Sequence, residues 1–152
     1  MQKPRAAFSL VELVLVVIIL GAMAVIALPR FGHDALDRLA TTTITREIAS
    51  DMRLARSLAV AKANTKPQGY AVRMTGGSPY SGYELVDLTA ATTVSTKTIE
   101  AGVSCTGDTE FRFGPLGALS PGYGTTLRVA GQGRQYVLTL IPATGSVTIQ
   151  EP

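Results

Sequence analysis

Between Phe8 and Leu28 the chain runs through twenty-one residues with a single charge, Glu12. As a helix this run would reach about 31 Å, close to the thickness of a bilayer's hydrocarbon core. Everything after Pro29 reads as an ordinary water-soluble domain, so the 46% hydrophobic content is an average over two unlike parts. A carboxylate held at the centre of a bilayer costs at least ~2.5–3.5 kcal/mol. Glu12 therefore calls for a partner.

Three kinds of segment begin with a basic start and an apolar run. A secretory signal peptide has a core of about 7–15 residues and a small-residue cleavage site after it. Here the run is longer and passes through Ala27-Leu28-Pro29-Arg30-Phe31 into a helical pattern. A plain transmembrane anchor fits the length, with Lys3 and Arg5 holding the N-terminus in the cytoplasm. It leaves Glu12 unexplained, unless the carboxylate simply lies among the headgroups.

The third kind accounts for it. Ala7-Phe8-Ser9-Leu10-Val11-Glu12-Leu13, continued through Gly21 and Pro29, resembles the class III signal of type IV prepilins and type II secretion pseudopilins. The resemblance implies that a prepilin peptidase cuts between Ala7 and Phe8 and methylates the new amino group of Phe8. Ala7 stands where the family usually has glycine. The amine so made at Phe8 can meet the Glu12 carboxylate of a neighbouring subunit, each charge being costly alone in a low-dielectric core and tolerable when paired. Glu12 is thus expected to set assembly, and Pro29, which removes a helical hydrogen bond, to kink the stem.

The rest of the 152 residues fits one domain. The net charge of +3 owes two of its fourteen cations to Lys3 and Arg5, and without them the cations nearly balance the eleven acids. Such a balance exerts no general pull on nucleic acid. Cys105 is alone, which excludes an internal disulfide and a thiol metal cluster, and it is expected as a small buried side chain.

Residues 34–63 have a helical period, with Leu36, Ala40, Ile44, Ile48, Met52, Ala55, Leu58 and Ala59 on one arc and Arg38, Arg46, Arg53 and Arg56 on a solvated opposite side. Glu47, Asp51 and Lys62 intrude on the arc, and Thr41-Thr42-Thr43 lowers helix propensity. Asn64 and Lys66-Pro67 supply the stop. Seven segments then read as strands: 68–74, 83–88, 92–99, 110–113, 125–130, 134–140 and 146–150, separated by glycine and proline turns. The expected fold is α+β, a type IV pilin-like arrangement. In it a long kinked N-terminal helix packs its amphipathic half on an antiparallel sheet head. The parts are a leader at 1–7, an assembly helix at 8–28, an amphipathic helix at 29–66 and a head at 67–152.

The head carries a narrower resemblance. The segment 51–61, rich in arginine and alanine, the stretch Phe111-Arg112-Phe113-Gly114-Pro115-Leu116-Gly117 and the turn Thr144-Gly145-Ser146-Val147 are similar to the GspH/FimT group of minor pilins and pseudopilins. Membership implies a single-pass inner-membrane protein with a cytoplasmic N-terminus and a periplasmic head, later drawn into a periplasmic filament. Its partners would be prepilin peptidase, other major and minor pseudopilins or pilins, and the membrane's assembly platform.

Enzymatic chemistry is not expected. His33 is the only histidine, so histidine triads and histidine metal clusters are excluded by counting. Asp87, Asp108 and Glu110 lack the spacing of a calcium loop and are expected as solvated surface acids. No phosphate loop, cofactor or metal is implied. Two functions remain, a minor pseudopilin that helps initiate or cap a type II secretion pseudopilus, and a minor type IV pilin acting in pilus assembly or DNA uptake. DNA-binding members of the group carry an arginine-rich stretch near the C-terminus. Here Gly145-Ser146-Val147-Thr148 has no cation and Gly133-Arg134 is the lone candidate, so DNA is not an expected partner. An unrelated adhesin with an uncleaved anchor is a third, weaker possibility.

Overall fold

The computed structural model describes residues 10–27, 33–131 and 133–152. Ala7, Phe8 and Pro29, and with them the cleavage site and the kink, lie outside the described residues. The chain divides into two compact units between Ala35 and Leu36. The first contains helix α1 (Leu10–Ala27), and the second contains most of helix α2 (His33–Ala61) and every strand.

α2 ends at Ala61, and the chain then tightens into a turn in which the Thr65 and Lys66 amides both donate to the Lys62 carbonyl. Pro67, which lacks an amide hydrogen, prevents the helix from resuming. The strands are β1 (Tyr70–Thr75), β2 (Gly82–Asp87), β3 (Thr92–Thr98), β4 (Ser104–Gly107), β5 (Glu110–Phe113), β6 (Thr126–Gly131), β7 (Arg134–Ile141) and β8 (Ser146–Gln150). They form two four-stranded sheets rather than one, in the orders β3-β2-β1-β5 and β4-β6-β7-β8. Every pairing is antiparallel.

One core joins the two sheets. Ile44, Ile48, Ala49, Met52, Ala55 and Ala59 of α2 belong to the same buried cluster as Tyr70, Val72, Tyr83, Leu85, Phe111 and Phe113 of the first sheet. Leu127, Val129, Leu138, Leu140 and Val147 of the second sheet complete it. Three of the six helix residues are alanine, so small and large side chains share the helix's buried face. Buried apolar area at about 25 cal/mol per Å² is the main force holding them together.

The acids that broke the helical arc have partners across this packing. Lys97 Nζ of β3 lies 2.8 Å from Glu47 Oε1 and 2.9 Å from Asp51 Oδ2, and the Tyr83 hydroxyl donates to Asp51 Oδ2 at 2.7 Å. Burial and the neighbouring Asp51 both raise the Tyr83 pKa, so the phenol keeps its proton and stays a donor. Toward the second sheet, Thr42 shares a hydrogen bond with the Tyr136 hydroxyl and Arg53 donates to the Val147 carbonyl. The threonine run is tolerated because Thr41 and Thr45 are buried and Thr45 Oγ1 donates to the Thr41 carbonyl at 2.7 Å.

The expectation that Asp87, Asp108 and Glu110 are solvated is corrected. Asp87 is only 5% exposed. Its Oδ1 accepts the Thr89 and Ala90 amides at 3.0 Å each, and its Oδ2 meets Lys66 Nζ at 2.9 Å. Asp108 Oδ2 accepts the Thr125 and Thr126 amides, and Glu110 pairs with Arg73 and Arg112. Burial alone would raise the Asp87 pKa, but the Lys66 ammonium and the two amides outweigh it and hold the carboxyl below its ordinary value.

A depressed folded-state pKa supplies stability that is complete above the unfolded carboxylate value, ~3.9, and is lost as the pH falls through the folded value. The chain in detergent is therefore expected to lose thermal stability below about pH 4. Asp87→Asn should be less stable than the parent at neutral pH, by about 1–3 kcal/mol, and should show a shallower acid fall. Circular dichroism melts from pH 7 to pH 2 check this, and parallel curves for the two proteins would refute it.

Candidate assembly surface

α1 is apolar on every side, so it has no core-facing stripe of the kind that packs a surface helix onto its own domain. Its large side chains between Leu10 and Met23 are uncovered, with Leu10 at 78%, Ile18 at 64% and Met23 at 64% exposure. A Cβ added at Gly21 would meet nothing within 4 Å, so this chain's own packing does not require that glycine. A small residue on an apolar helix lets a neighbouring helix approach closely. Glu12 lies near the beginning of the described part of α1. None of the ion pairs among the described residues includes it.

The described part of α1 measures about 27 Å, and among the described residues no helix is long and apolar enough to cross a membrane. The stretch expected to do so, 8–28, extends beyond them at both ends.

In the head, the three motifs singled out in the sequence converge. The turn at Gly117, with φ of 79°, rests on α2, where an added Cβ would stand 2.9 Å from Val60 and 3.3 Å from Arg56 Nε. The turn at Gly145 rests in turn on Gly117, whose carbonyl oxygen a Cβ there would overlap, and on the Arg56 stem. Arg56 is thus not on a solvated face as expected. It is half-buried between two glycine turns, and its Nε has no hydrogen-bond partner. Arg46 and Arg53 are exposed. Arg134, the lone candidate for phosphate, donates to the Tyr136 hydroxyl at 3.0 Å and has Glu151 at 4.0 Å.

The outer face of the first sheet is an ion ladder in register. Arg73 stands opposite Glu84 on β2 and Glu110 on β5, with 3.3 Å contacts to each. Arg112 meets Glu110 at 2.8 Å and lies over the Tyr123 ring at 4.2 Å. A cleft lined by Asp108, Glu110 and Tyr123 opens beside it, but these acids are already committed to backbone amides and arginines. Cys105 is fully buried, and burial pushes its thiol up to about 11. Among the described residues no cluster of His, Cys, Asp or Glu could hold a metal ion.

The solved structure of the type IV minor pilin FimU from Pseudomonas aeruginosa PAO1 superposes with a TM-score of 0.61. The match covers 76% of this chain and 94% of that one, at 16% identity. The fold is type IV pilin-like. No family model matches the chain, and no curated protein does either. The pilin-like fold explains why α2 carries both sheets on one face. The helix is the common support of the head, and Lys97, Tyr83 and Tyr136, which the sequence pattern did not single out, tie the sheets to it.

Proposed function

We propose that the chain is a minor pseudopilin, a non-enzymatic structural subunit of the periplasmic pseudopilus of a type II secretion system. The observation that carries this reading is an apolar helix whose large side chains are uncovered from Leu10 to Met23, with Glu12 near the beginning of its described part, preceding a pilin-like head. Such a helix is stable only in lipid or among other apolar helices, and an acid in that setting is tolerated when another subunit supplies the cation.

In this reading the precursor sits in the inner membrane with its N-terminus cytoplasmic and its head periplasmic. Prepilin peptidase removes residues 1–7 and methylates Phe8. The mature subunit then joins major and minor pseudopilins at the assembly platform and helps initiate or cap the filament.

The test is the intact mass of the chain isolated from its own membrane. The expected product begins at a methylated Phe8, and retention of Met1 to Ala7 would overturn the reading. A second reading, a minor type IV pilin, draws support from the fold likeness to FimU. Neighbouring genes for competence or motility proteins would favour it, whereas a secretion operon favours the first.

A further inference from the structure

The cations of the head are neutralised unevenly. On the side of the first sheet Lys66, Arg73, Lys97 and Arg112 each have an acid at 2.8 to 3.3 Å. Along β8 the balance differs. The span from β6 through β8 contains no acid, and only Glu151 follows it, while Arg134 of β7 and Arg46 and Arg53 of α2 stand nearby.

A cavity of ≈ 350 Å³ opens there, with Arg46, Arg134, Tyr136, Ile149 and Glu151 among its walls. Arg46 is exposed and takes part in no ion pair among the described residues. Arg134 Nε lies 4.0 Å from Glu151 Oε1, between side chains that are 43% and 53% exposed. At that spacing and exposure an ion pair contributes little. Two guanidinium groups therefore share the cavity with one loosely held carboxylate. Tyr136 reports the same positive field, since the Thr42 hydrogen bond and then the Arg134 guanidinium hold its phenol below the ordinary value.

The cavity also borders an open strand edge. β8 is the last strand of its sheet. Arg53 donates to the Val147 carbonyl, and the Leu140 amide opposite Val147 turns away from β8 to the Thr125 carbonyl. Val147 is thus a residue whose backbone points out of the ladder, and two residues on, Ile149 points the same way. Among the described residues the Ile149 amide and carbonyl make no backbone bond to another segment. The Ile149 side chain, 36% exposed, forms an apolar wall of the cavity.

We propose that this cavity receives the carboxylate of an acidic side chain from an extended segment of a different protein, whose backbone pairs with Ile149 at the open edge of β8. The carboxylate displaces Glu151, and its bonds to Arg46 and Arg134 are charge-assisted. An apolar wall and a strand edge fit a peptide. Nucleic acid would need a row of free cations, whereas Arg134 and Arg53 are already engaged. The identity of the partner rests on the filament reading, in which the neighbours of a minor subunit are other proteins. The chemistry of the site does not.

Isotope-labelled full-length chain in detergent micelles, titrated with a short blocked peptide of threonine and valine carrying one central glutamate, tests this by nuclear magnetic resonance. The expected result is a saturable shift of the Ile149 and Glu151 amides and of the Arg46 and Arg134 side chains. Arg46→Gln should weaken binding about tenfold. Glu151→Gln should tighten it severalfold, because the internal competitor is gone, an effect that a merely structural arginine would not produce. Both residues are exposed, so both variants keep the fold.

Equal binding of a peptide with glutamine in place of glutamate would overturn the proposal, as would indifference to both variants. Inorganic phosphate or a short oligonucleotide saturating the same signals at lower concentration would replace the peptide as occupant. Shifts that grow with the concentration of the chain alone would assign the site to a second copy and overturn it likewise. None of these outcomes bears on the intact mass, so the filament reading and this site fail separately.

Discussion

Replacing Glu12 by valine or alanine is expected to lower incorporation of the chain into its assembly by roughly two to three orders of magnitude. The substitution makes α1 more apolar, so in the proposed reading insertion into the membrane is eased rather than impaired. In the proposed assembly, what is lost is the partner for a buried amine at Phe8 of a neighbouring subunit. Removing one member of a buried ion pair costs about 3–5 kcal/mol, because the other charge stays desolvated. Each 1.4 kcal/mol is tenfold in an equilibrium. Glu12→Gln should behave like the valine variant, since it keeps the shape and loses the charge, whereas Glu12→Asp should retain part of the function. The measurement is recovery of each variant in a pulldown of the assembled complex. Undiminished recovery of the valine variant would remove this role for the carboxylate.

The second large effect concerns the head. Gly145→Val is expected to lower its stability by about 3 kcal/mol or more, seen as a fall in Tm of roughly 10 °C or more. Two terms add. Gly145 has φ of 65°, where an L side chain costs about 1–2 kcal/mol. Its Cβ would also overlap the Gly117 carbonyl oxygen, which the Gly114–Ala118 turn and Arg56 prevent from moving aside. Gly133→Ala separates the terms, because Gly133 has φ of 75° but nothing within 4 Å of an added Cβ. That variant should lose only about 1–2 kcal/mol. Equal Tm values for the two variants would mean that the Gly145 turn yields and the three motifs are not locked together.

Much of this architecture was legible from periodicity. The helix expected at 34–63 is observed at His33–Ala61, and seven strands fall within two residues of their expected bounds. β4 was missed because Ser104–Gly107 has a single apolar side chain, Cys105, whereas the equally short β5 alternates two phenylalanines with charged residues. The split into two sheets was not readable either. Which strands pair depends on long-range register, and β1 takes β5 rather than β4 as its neighbour.

The burial of Arg56 and Asp87 was missed for a related reason. A charged residue reads as solvated until the turn or lysine that covers it is located, and Lys66, Gly117 and Gly145 reach them only through the tertiary fold. At the candidate assembly surface the sequence marked Glu12 and the apolar helix around it.

The single helix face that serves both sheets also bears on how the head responds to tension. Tension applied at the N-terminal end of α2 enters the head along the helix axis. It must shear a whole row of contacts at once, from Ile44 to Ala59 together with the Lys97, Tyr83 and Tyr136 ties, whereas the outermost strands β3 and β8 are not peeled away one bond at a time. A head hung in this manner should resist a tug on its stem far longer than the same tug on its C-terminal strand, a difference governed by the unfolding rate rather than by equilibrium stability.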